Sequence, residues 1–353
     1  MTAYLNAIGT AVPDHDIHTA FAAWAQTQIH DERAKKLFSR MAARSGIAHR
    51  WSVLPRAGDG GSPIEPGGFY GDGLPGTTAR MRIYADSAPD LALDAIEALR
   101  EKVGIDGITH LVVASCTGFV APGVDQIIAA RLGLCPTVER LLIGFMGCYA
   151  AVAALRTARH IARSVSKARV LVVTVELSTL HLQDAREIEP LLAMLQFGDG
   201  AAAALDSAEP RGFALDAPFQ TTLPDSAELI RWEVTDSGFA MHLSGEVPSR
   251  IAAGLADPEF ARAATGGHDT ATIDGWAVHG GGRSILDAVE GALRLDPNAL
   301  DASRAVLRDF GNMSSATLMF VLARLLARPR VIQGVALAFG PGLAAEGFGF
   351  RSA

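Results

Sequence analysis

The feature that most constrains the fold of this chain is a series of short, uninterrupted apolar segments that alternate with segments of helical periodicity. Three of these segments lie close together in the sequence: Thr109–Ser115, Arg140–Phe145 and Arg169–Val175. Apolar runs of this length, bounded by turn residues, predict buried strands. Helices between successive strands favour a largely parallel sheet that is covered on both faces. The sequence therefore predicts an α/β fold.

The C-terminal half of the chain has a similar order of elements without detectable sequence identity to the N-terminal half. It contains a predicted strand at Gly275–Val278, a helix at Ser284–Leu293 and a long apolar helix at Ser314–Ala327. Each half thus has a strand, a tight turn and a buried helix, which suggests an architectural duplication. The Gly/Pro-rich segment Pro55–Thr78 is predicted to be a long surface loop.

Composition excludes several classes of protein. The 353 residues include 49% hydrophobic residues and carry a net charge of −7, from 31 basic and 38 acidic side chains. A disordered chain and a nucleic-acid binder with a basic surface are therefore not expected. Three cysteines cannot form a disulfide framework, and no apolar run is long enough to span a membrane. We expect a cytoplasmic enzyme without a metal site or a membrane span.

Cys148 is the most informative residue of the sequence. It follows an apolar strand and Gly147, and it precedes a predicted helix. Unpaired N–H groups and the positive end of the helix dipole favour a thiolate at such a position, and the thiolate is the nucleophilic form. A small buried side chain without chemistry is the alternative interpretation.

Two further residues occupy positions where an α/β sheet commonly binds ligands. His279 follows a predicted strand and precedes three glycines, and Asn312 precedes the apolar helix at Ser314–Ala327. For His279 the alternative is a structural histidine, since the chain has ten histidines. For Asn312 the alternative is a simple helix N-cap.

The order of Cys148, His279 and Asn312 resembles the type III polyketide synthases of the chalcone synthase family. Six segments around these residues are similar to segments of that family and occur in the same order. They are Phe145–Arg156, Ala168–Ser178, Phe197–Ala203, Trp276–Gly282, Gly311–Ala316 and Phe339–Leu343. The resemblance extends from about Leu37 to the C-terminus.

The resemblance implies a thiolase-like fold, a duplicated αβαβα arrangement of five layers, and a homodimer. Residues 1–207 would form the half that carries the nucleophilic cysteine, and residues 208–353 the half that carries the histidine and the asparagine. It also implies roles for three residues. Cys148 would carry the acyl group, His279 would hold its thiolate in an ion pair, and Asn312 with His279 would bind the thioester carbonyl of the extender.

The resemblance further implies which residues line the substrate pocket and bind coenzyme A. The expected pocket residues are Phe197, Met241, Trp232, Cys116 and Ser314, and Phe197 would favour the loss of CO₂ from a malonyl group. Met241 replaces a usual phenylalanine, Trp232 a small glycine of the plant enzymes, and Cys116 a threonine. The expected coenzyme A residues are Arg40, Arg44, Lys36, Gly281 and Gly282. A solvated basic face is the alternative for the cations.

The predicted function is the extension of an acyl-CoA starter with malonyl-CoA by decarboxylative Claisen condensation, followed by cyclisation to a resorcinol, pyrone or phloroglucinol. CoA thioesters are the expected substrates, and no cofactor is expected. Two alternatives remain open from the sequence. One is a β-ketoacyl-ACP synthase III-like condensing enzyme, and the other is a catalytically silent binding partner with the same fold.

Overall fold

A computed structural model describes residues 2–58 and 61–353 of the chain, with thirteen strands and eleven helices among them. The strands are β1 (Tyr4–Ala11), β2 (His15–Asp16), β3 (Trp51–Ser52), β4 (His110–Ser115), β5 (Glu139–Gly144), β6 (Arg169–Leu177), β7 (Asp199–Ser207), β8 (Phe213–Thr222), β9 (Ile230–Thr235), β10 (Gly238–Leu243), β11 (Gly275–Val278), β12 (Gly334–Gly340) and β13 (Ala344–Ser352). The helices are α1 (His18–Gln28), α2 (Glu32–Ala43), α3 (Thr77–Arg100), α4 (Val124–Arg131), α5 (Ala150–Ser164), α6 (Ile188–Met194), α7 (Val247–Ala256), α8 (Pro258–Ala264), α9 (Arg283–Leu293), α10 (Asp301–Phe310) and α11 (Ser315–Leu326).

Nine strands form one large sheet in the order β11-β12-β13-β8-β1-β7-β6-β4-β5. The two halves of this sheet join at β1 and β8, where only Tyr4↔Ala214 and Leu5↔Phe213 pair. The prediction of a largely parallel sheet is wrong, because five of the eight pairs among the described strands of this sheet are antiparallel, and the parallel pairs β4–β5, β4–β6 and β11–β12 lie at its two ends. The turn at Pro341–Leu343 shows why: a link this short between β12 and β13 permits only an antiparallel return.

Three apolar clusters separate five layers of the molecule. One cluster lies between α3 and one face of β4, β6 and β7. The second contains α5 and α11 and packs against both halves of the sheet. The third lies between β11, β12 and the helices α7, α9 and α10. The predicted duplicated αβαβα arrangement is therefore confirmed, with α5 and α11 as the central helical layer.

The strand β5 differs from its prediction as a buried strand. It lies at the end of the sheet, pairs with β4 alone among the described strands, and exposes most of its residues. Leu141 and Leu142 are each 44% exposed. An apolar run cannot distinguish a strand buried inside one chain from an edge strand, which presents unpaired backbone groups to a further partner.

The predicted loop Pro55–Thr78 is also only partly correct. Asp59 and Gly60 lie outside the described residues, and α3 already begins at Thr77. Ser62 and Tyr70 are buried, so this segment covers the first apolar cluster and does not simply lie on the surface.

Candidate active site

One cavity of about 680 Å³ lies between the two halves of the molecule and is lined mainly by apolar side chains. Cys148 reaches it from the N-terminal half, and His279 and Asn312 reach it from the C-terminal half. The structure therefore brings together the three residues that the sequence singled out. Its size and apolar lining are those of a small-molecule site.

Cys148 lies in the tight turn Gly147–Tyr149, between the edge strand β5 and the central helix α5. Gly147 has φ +71°, a conformation that favours glycine. A Cβ atom at Gly147 would lie 2.7 Å from Pro341 and 3.1 Å from Trp232. The turn can therefore approach these two side chains only because residue 147 has no side chain, and this approach holds Cys148 at the cavity.

His279 follows β11 and is 1% exposed to solvent. Its backbone N–H donates to the carbonyl of Leu337, which fixes the end of the strand. Neither ring nitrogen has a hydrogen-bond partner within residues 2–58 and 61–353. Buried polar atoms are normally paired, so an unpaired imidazole beside a cavity is available to a thiol or to a bound substrate.

Asn312 lies between α10 and α11, and its backbone and side chain are both held. Its Nδ2 donates to the carbonyl of Gly281 (3.2 Å), and its Oδ1 accepts from the N–H of Ser314 (2.8 Å). Its backbone N–H donates to Gln196, and its carbonyl accepts from Gly198. Because Ser314, and not Asn312, is the residue before α11, the N-cap interpretation does not account for Asn312.

Burial dominates the electrostatics of Cys148 and His279. Cys148 is partly exposed at the cavity, and loss of solvent around its thiol raises its pKa to about 12, although bonds from Ser314, from Asn312 and from its own backbone N–H act in the other direction. Burial lowers the pKa of His279 to about 3. The start of a helix alone therefore does not produce a thiolate here, and an ion pair needs the mutual attraction of the two groups.

The five predicted pocket residues Phe197, Met241, Trp232, Cys116 and Ser314 all line the cavity. Met241 and Trp232 face each other directly across the hairpin of β9 and β10, so both project from the same face. Cys116 and Ser314 are neighbours, with 3.4 Å between Sγ and Oγ.

A buried carboxylate beneath Cys116 was missed by the sequence reasoning. Glu176 ends the apolar run of β6 and accepts hydrogen bonds from Thr117 (2.9 Å), from the backbone N–H of Cys116 (3.0 Å) and from Ser315. Burial raises the pKa of Glu176 to about 7 despite these bonds, and burial together with the Glu176 charge raises the pKa of Cys116 well above its usual value. One acidic residue at the end of an apolar strand was the available signal.

The predicted coenzyme A residues lie near one mouth of the cavity but do not all line it. Lys36, Arg40 and Arg44 are exposed on α2 or at its end, and none forms an ion pair within the described part of the chain. Leu37 and Met41 of the same helix do line the cavity. Gly281 lines it as well, whereas Gly282 lies next to it against Gln196.

Two more polar residues at this site were not predicted as functional. His181 stacks on Phe239 at 4.2 Å between ring centroids, and its Nε2 bonds to the carbonyl of Thr117 (2.7 Å). Burial lowers its pKa to about 4, so it lines the cavity as a neutral ring. Arg50 lines the cavity as well and donates to the carbonyl of Phe197 (2.7 Å). Both depend on contacts between segments distant in sequence.

The described residues hold no cluster of three or more His, Cys, Asp or Glu side chains suited to a metal ion. Among the helices that the structure describes, none combines the length and the apolar character needed to cross a membrane.

A thiol, an unpaired imidazole and a fixed amide at one apolar cavity between two similar halves define a condensing enzyme of the thiolase-like class. Comparison with known proteins identifies the family. Residues 1–210 match the N-terminal domain of the chalcone and stilbene synthases, and residues 214–353 match their C-terminal domain. The chain belongs to this family and is a type III polyketide synthase, an acyltransferase.

Curated relatives and solved structures agree with this assignment. The chain is 31% identical over 362 residues to type III polyketide synthase A of Arabidopsis thaliana, covering 97% of this chain and 89% of the relative. It is 33% identical over 368 residues to bisdemethoxycurcumin synthase of Oryza sativa subsp. japonica, covering 96% and 90%. The crystal structure of PKS-I from the brown alga Ectocarpus siliculosus superposes with a TM-score of 0.90 at 27% identity, covering 100% of this chain and 98% of that one. The C-terminal type III polyketide synthase domain of Steely1 from Dictyostelium gives 0.88 at 26% identity, covering 100% and 99%.

Proposed function

We propose that Cys148, His279 and Asn312 carry out decarboxylative condensation of malonyl-CoA with an acyl group bound to Cys148. The observation that carries this proposal is their convergence at one cavity, together with the two unpaired ring nitrogens of His279. Loading begins when the Cys148 thiol gives its proton to His279 and attacks the acyl-CoA carbonyl. A covalent thioester forms and coenzyme A leaves with the proton, which divides one difficult step into two.

Extension uses the same residues in other roles. The thioester oxygen of malonyl-CoA accepts hydrogen bonds from His279 and from the Asn312 amide. When the carboxylate leaves as CO₂, these donors stabilise the enolate, and one such donor commonly contributes about 3 kcal/mol. The enolate carbon attacks the Cys148 thioester and displaces the thiolate, which gives a chain longer by one acetyl unit. These steps need CoA thioesters as substrates and no further cofactor.

We propose that the starter is an acyl-CoA with a medium or long apolar chain. The same cavity is also lined by apolar side chains of α1, of the segment after β3 and of α6, including Phe21, Leu54, Ile64 and Met194. Apolar surface of this kind binds alkyl groups by removing them from water. Met241 adds a flexible wall, since methionine adapts to ligands of different shape. Cyclisation then gives a resorcinol, pyrone or phloroglucinol.

Lys36, Arg40 and Arg44 are proposed to bind the phosphates of coenzyme A at the mouth near α2, because their positive charges have no ion-pair partner among the described residues. Guanidinium groups suit phosphate oxygens. The adjacent glycines 281 and 282 leave room for the pantetheine arm. The three free cysteines agree with a cytoplasmic location.

A homodimer is proposed on the basis of the edge strand β5. Its exposed Leu141 and Leu142, together with Phe145, form an apolar surface next to unpaired strand backbone. Two copies related by a two-fold axis could pair these strands antiparallel and bury that surface.

The test combines a starter panel with a nucleophile variant. Purified enzyme is incubated with malonyl-CoA and acyl-CoA starters of increasing chain length, and the products and the acylated protein are measured by mass spectrometry. We expect turnover with medium or long starters and an acyl group on Cys148. Cys148→Ala should abolish both, whereas Cys135→Ala, which changes an exposed thiol, should leave both unchanged. Product formation by Cys148→Ala, or extension by malonyl-ACP in place of malonyl-CoA, would contradict the proposal.

A further inference from the structure

Arg50 is a buried cation that lines part of the cavity and bonds to the segment that carries Phe197. It lies between α2 and β3 and is 1% exposed. Its Nη1 donates to the carbonyls of Phe197 (2.7 Å) and Met194 (3.1 Å), and its Nε donates to His18 Nδ1 (3.0 Å). The side chain, which also lines the cavity, therefore fixes the segment that carries Phe197 through two of its backbone carbonyls.

That segment is in turn joined to Asn312. Phe197 and Asn312 form an isolated parallel bridge, with Asn312 N–H bonded to the Gln196 carbonyl (2.8 Å) and Gly198 N–H bonded to the Asn312 carbonyl (3.0 Å). The alkyl part of Arg50 also packs closely on Gly311, where an added Cβ would lie 2.9 Å from Arg50 Cγ. Phe197 and Asn312 thus share one support.

Arg50 occupies this position at an energetic cost. It forms no direct ion pair with a carboxylate in the described part of the chain, and Asp16 and Asp199 act on it only from a distance. Burial lowers its pKa to about 9. Stacking on Phe21, with 4.6 Å from the guanidinium carbon to the ring centroid, offsets part of this cost. An apolar side chain at this position would avoid the cost of burying a charge, but it could not donate hydrogen bonds to the carbonyls of Phe197 and Met194. We therefore attribute the presence of Arg50 to these hydrogen bonds.

The backbone of Cys148 does not depend on this support, although its thiol also bonds to Asn312. It is held by the turn at Gly147, by Pro341 and by the start of α5, and none of these contacts Arg50 through a hydrogen bond. The two half-reactions therefore rely on the Arg50 support to different degrees, because loading uses Cys148 and His279, whereas loss of CO₂ uses Asn312, Phe197 and His279.

We infer that Arg50 is a positioning residue for the extension half-reaction, which holds Phe197 and Asn312 in the geometry needed for decarboxylation of malonyl-CoA. This inference rests on the proposed roles of those two residues. A displacement of about 1 Å at a reacting group can lower a rate by about 100-fold. Loss of the Arg50 donors should therefore slow the release of CO₂ and spare the loading of the starter.

The test uses Arg50→Met, which removes the donors, and Arg50→Lys, which keeps the cation. Arg80→Met is the matched control: Arg80 is also fully buried, also donates to two backbone carbonyls through Nη1, those of Leu180 (2.9 Å) and Leu182 (2.7 Å), and bonds to neither Phe197 nor Asn312. The rate of acyl loading is measured by protein mass spectrometry. The release of CO₂ from labelled malonyl-CoA is expressed per loadable Cys148, which corrects for any unfolded fraction.

We expect Arg50→Met to lower CO₂ release by about 10- to 100-fold per loadable site, with loading within about twofold of wild type. Arg50→Lys should lose less of the CO₂ release than Arg50→Met does. If Arg50→Met yields no protein that can be acylated, the comparison of CO₂ release with loading is made on Arg50→Lys. Arg80→Met should leave both rates per loadable site within about twofold. Equal losses in both half-reactions, no loss in either, or the same pattern in Arg80→Met would overturn the inference. A wild-type protein that neither loads nor releases CO₂ would instead contradict the proposed function.

Discussion

The proposed pairing of Cys148 with His279 would determine how this site activates its nucleophile. Burial is the largest cause that raises the pKa of the thiol to about 12, and it lowers the pKa of the imidazole to about 3, so each group alone would be neutral at pH 7. The hydrogen bonds to the thiol do not cancel this rise, whereas an adjacent opposite charge would act against both shifts. The reactivity of Cys148 should therefore depend on His279 more than on the start of α5.

Alkylation of Cys148 by iodoacetamide measures this dependence. In wild type, we expect a thiolate that persists to neutral pH because His279 accepts its proton. In His279→Gln the thiol keeps the full rise in pKa that burial causes, so a smaller fraction of it is thiolate at each pH. The midpoint of the alkylation rate plotted against pH should therefore shift to higher pH by about two units or more. Cys135→Ala serves as the background in both proteins. Coincident profiles would show that His279 does not stabilise the thiolate.

Glu176 gives a second prediction, for stability against pH. Burial raises the pKa of this carboxyl from its ordinary value of 4.5 to about 7, so the folded protein binds a proton that the unfolded chain releases. Stability should therefore fall as pH rises from about 4.5 to about 7, by up to about 3 kcal/mol for this one group.

The measurement compares the Tm of wild type and Glu176→Gln across this pH range at one scan rate. The Tm of Glu176→Gln should lack the part of the pH dependence that the titration of Glu176 causes. The part caused by the buried Asp199 is common to both proteins and cancels when the two Tm values are subtracted. A difference between the two Tm values that stays constant from pH 4.5 to 7 would contradict the assigned shift.

Residues with local signals were predictable from the sequence, and residues defined by distant contacts were not. Cys148 and His279 each follow an apolar strand and adjoin glycine, and the structure places both at the cavity. His181 and Arg50 lack such a local pattern, and Glu176 shows only an acidic residue at the end of an apolar strand. Their environment is created by segments far away in the chain, such as Thr117 for His181 and Phe197 for Arg50.

At the scale of elements, α2 illustrates how one helix can serve two surfaces. Phe38 packs into the core, Leu37 and Met41 line the mouth of the cavity, and Arg40 and Arg44 are exposed beside it. The apolar spacing of residues 32–43 in the sequence predicts a helix over these residues, and α2 has the same bounds. The short hairpin of β9 and β10 was not predicted, because its polar residues lack a clear alternation.

Removal of both arginines should weaken the binding of CoA thioesters. In Arg40→Ala/Arg44→Ala we expect KM for acyl-CoA to rise by about 10-fold with kcat little changed, since two exposed phosphate contacts contribute about 1 kcal/mol each or less. The control is the N-acetylcysteamine thioester of the same acyl group, which lacks phosphate and should keep its KM. An equal rise for both substrates would show that the change distorts the cavity mouth.

At the scale of the whole molecule, the sequence predicted the class and the five layers but not the course of the sheet. The family resemblance supplied the thiolase-like arrangement, while the apolar runs alone suggested a mainly parallel sheet. Strand direction depends on which segments meet in space, and the pairing of β1 with β7 and β8 joins residues about two hundred positions apart. The exposed position of β5 likewise depends on the order of all nine strands.

The edge strand β5 leads to a prediction for the assembly. We expect wild type to be a dimer in light scattering after size-exclusion chromatography. Leu142→Asp should shift it towards monomer, because a charge would be buried at the proposed contact. Ile332→Asp alters an exposed apolar residue elsewhere, 66% exposed, and should leave the dimer intact. A monomeric wild type, or dissociation by both variants, would contradict the proposed contact.

The central place of β1 has a consequence for the order in which the chain can fold. Tyr4 pairs with Ser207 and with Ala214, so the first strand has no neighbour in the sheet until most of the N-terminal half and the start of the next have been synthesised. Until then its apolar face stays unprotected on a growing chain. Pairings between such distant segments slow folding and prolong exposure to aggregation. Yield during expression should therefore respond to synthesis rate and chaperones more strongly than the stability of the finished enzyme would suggest.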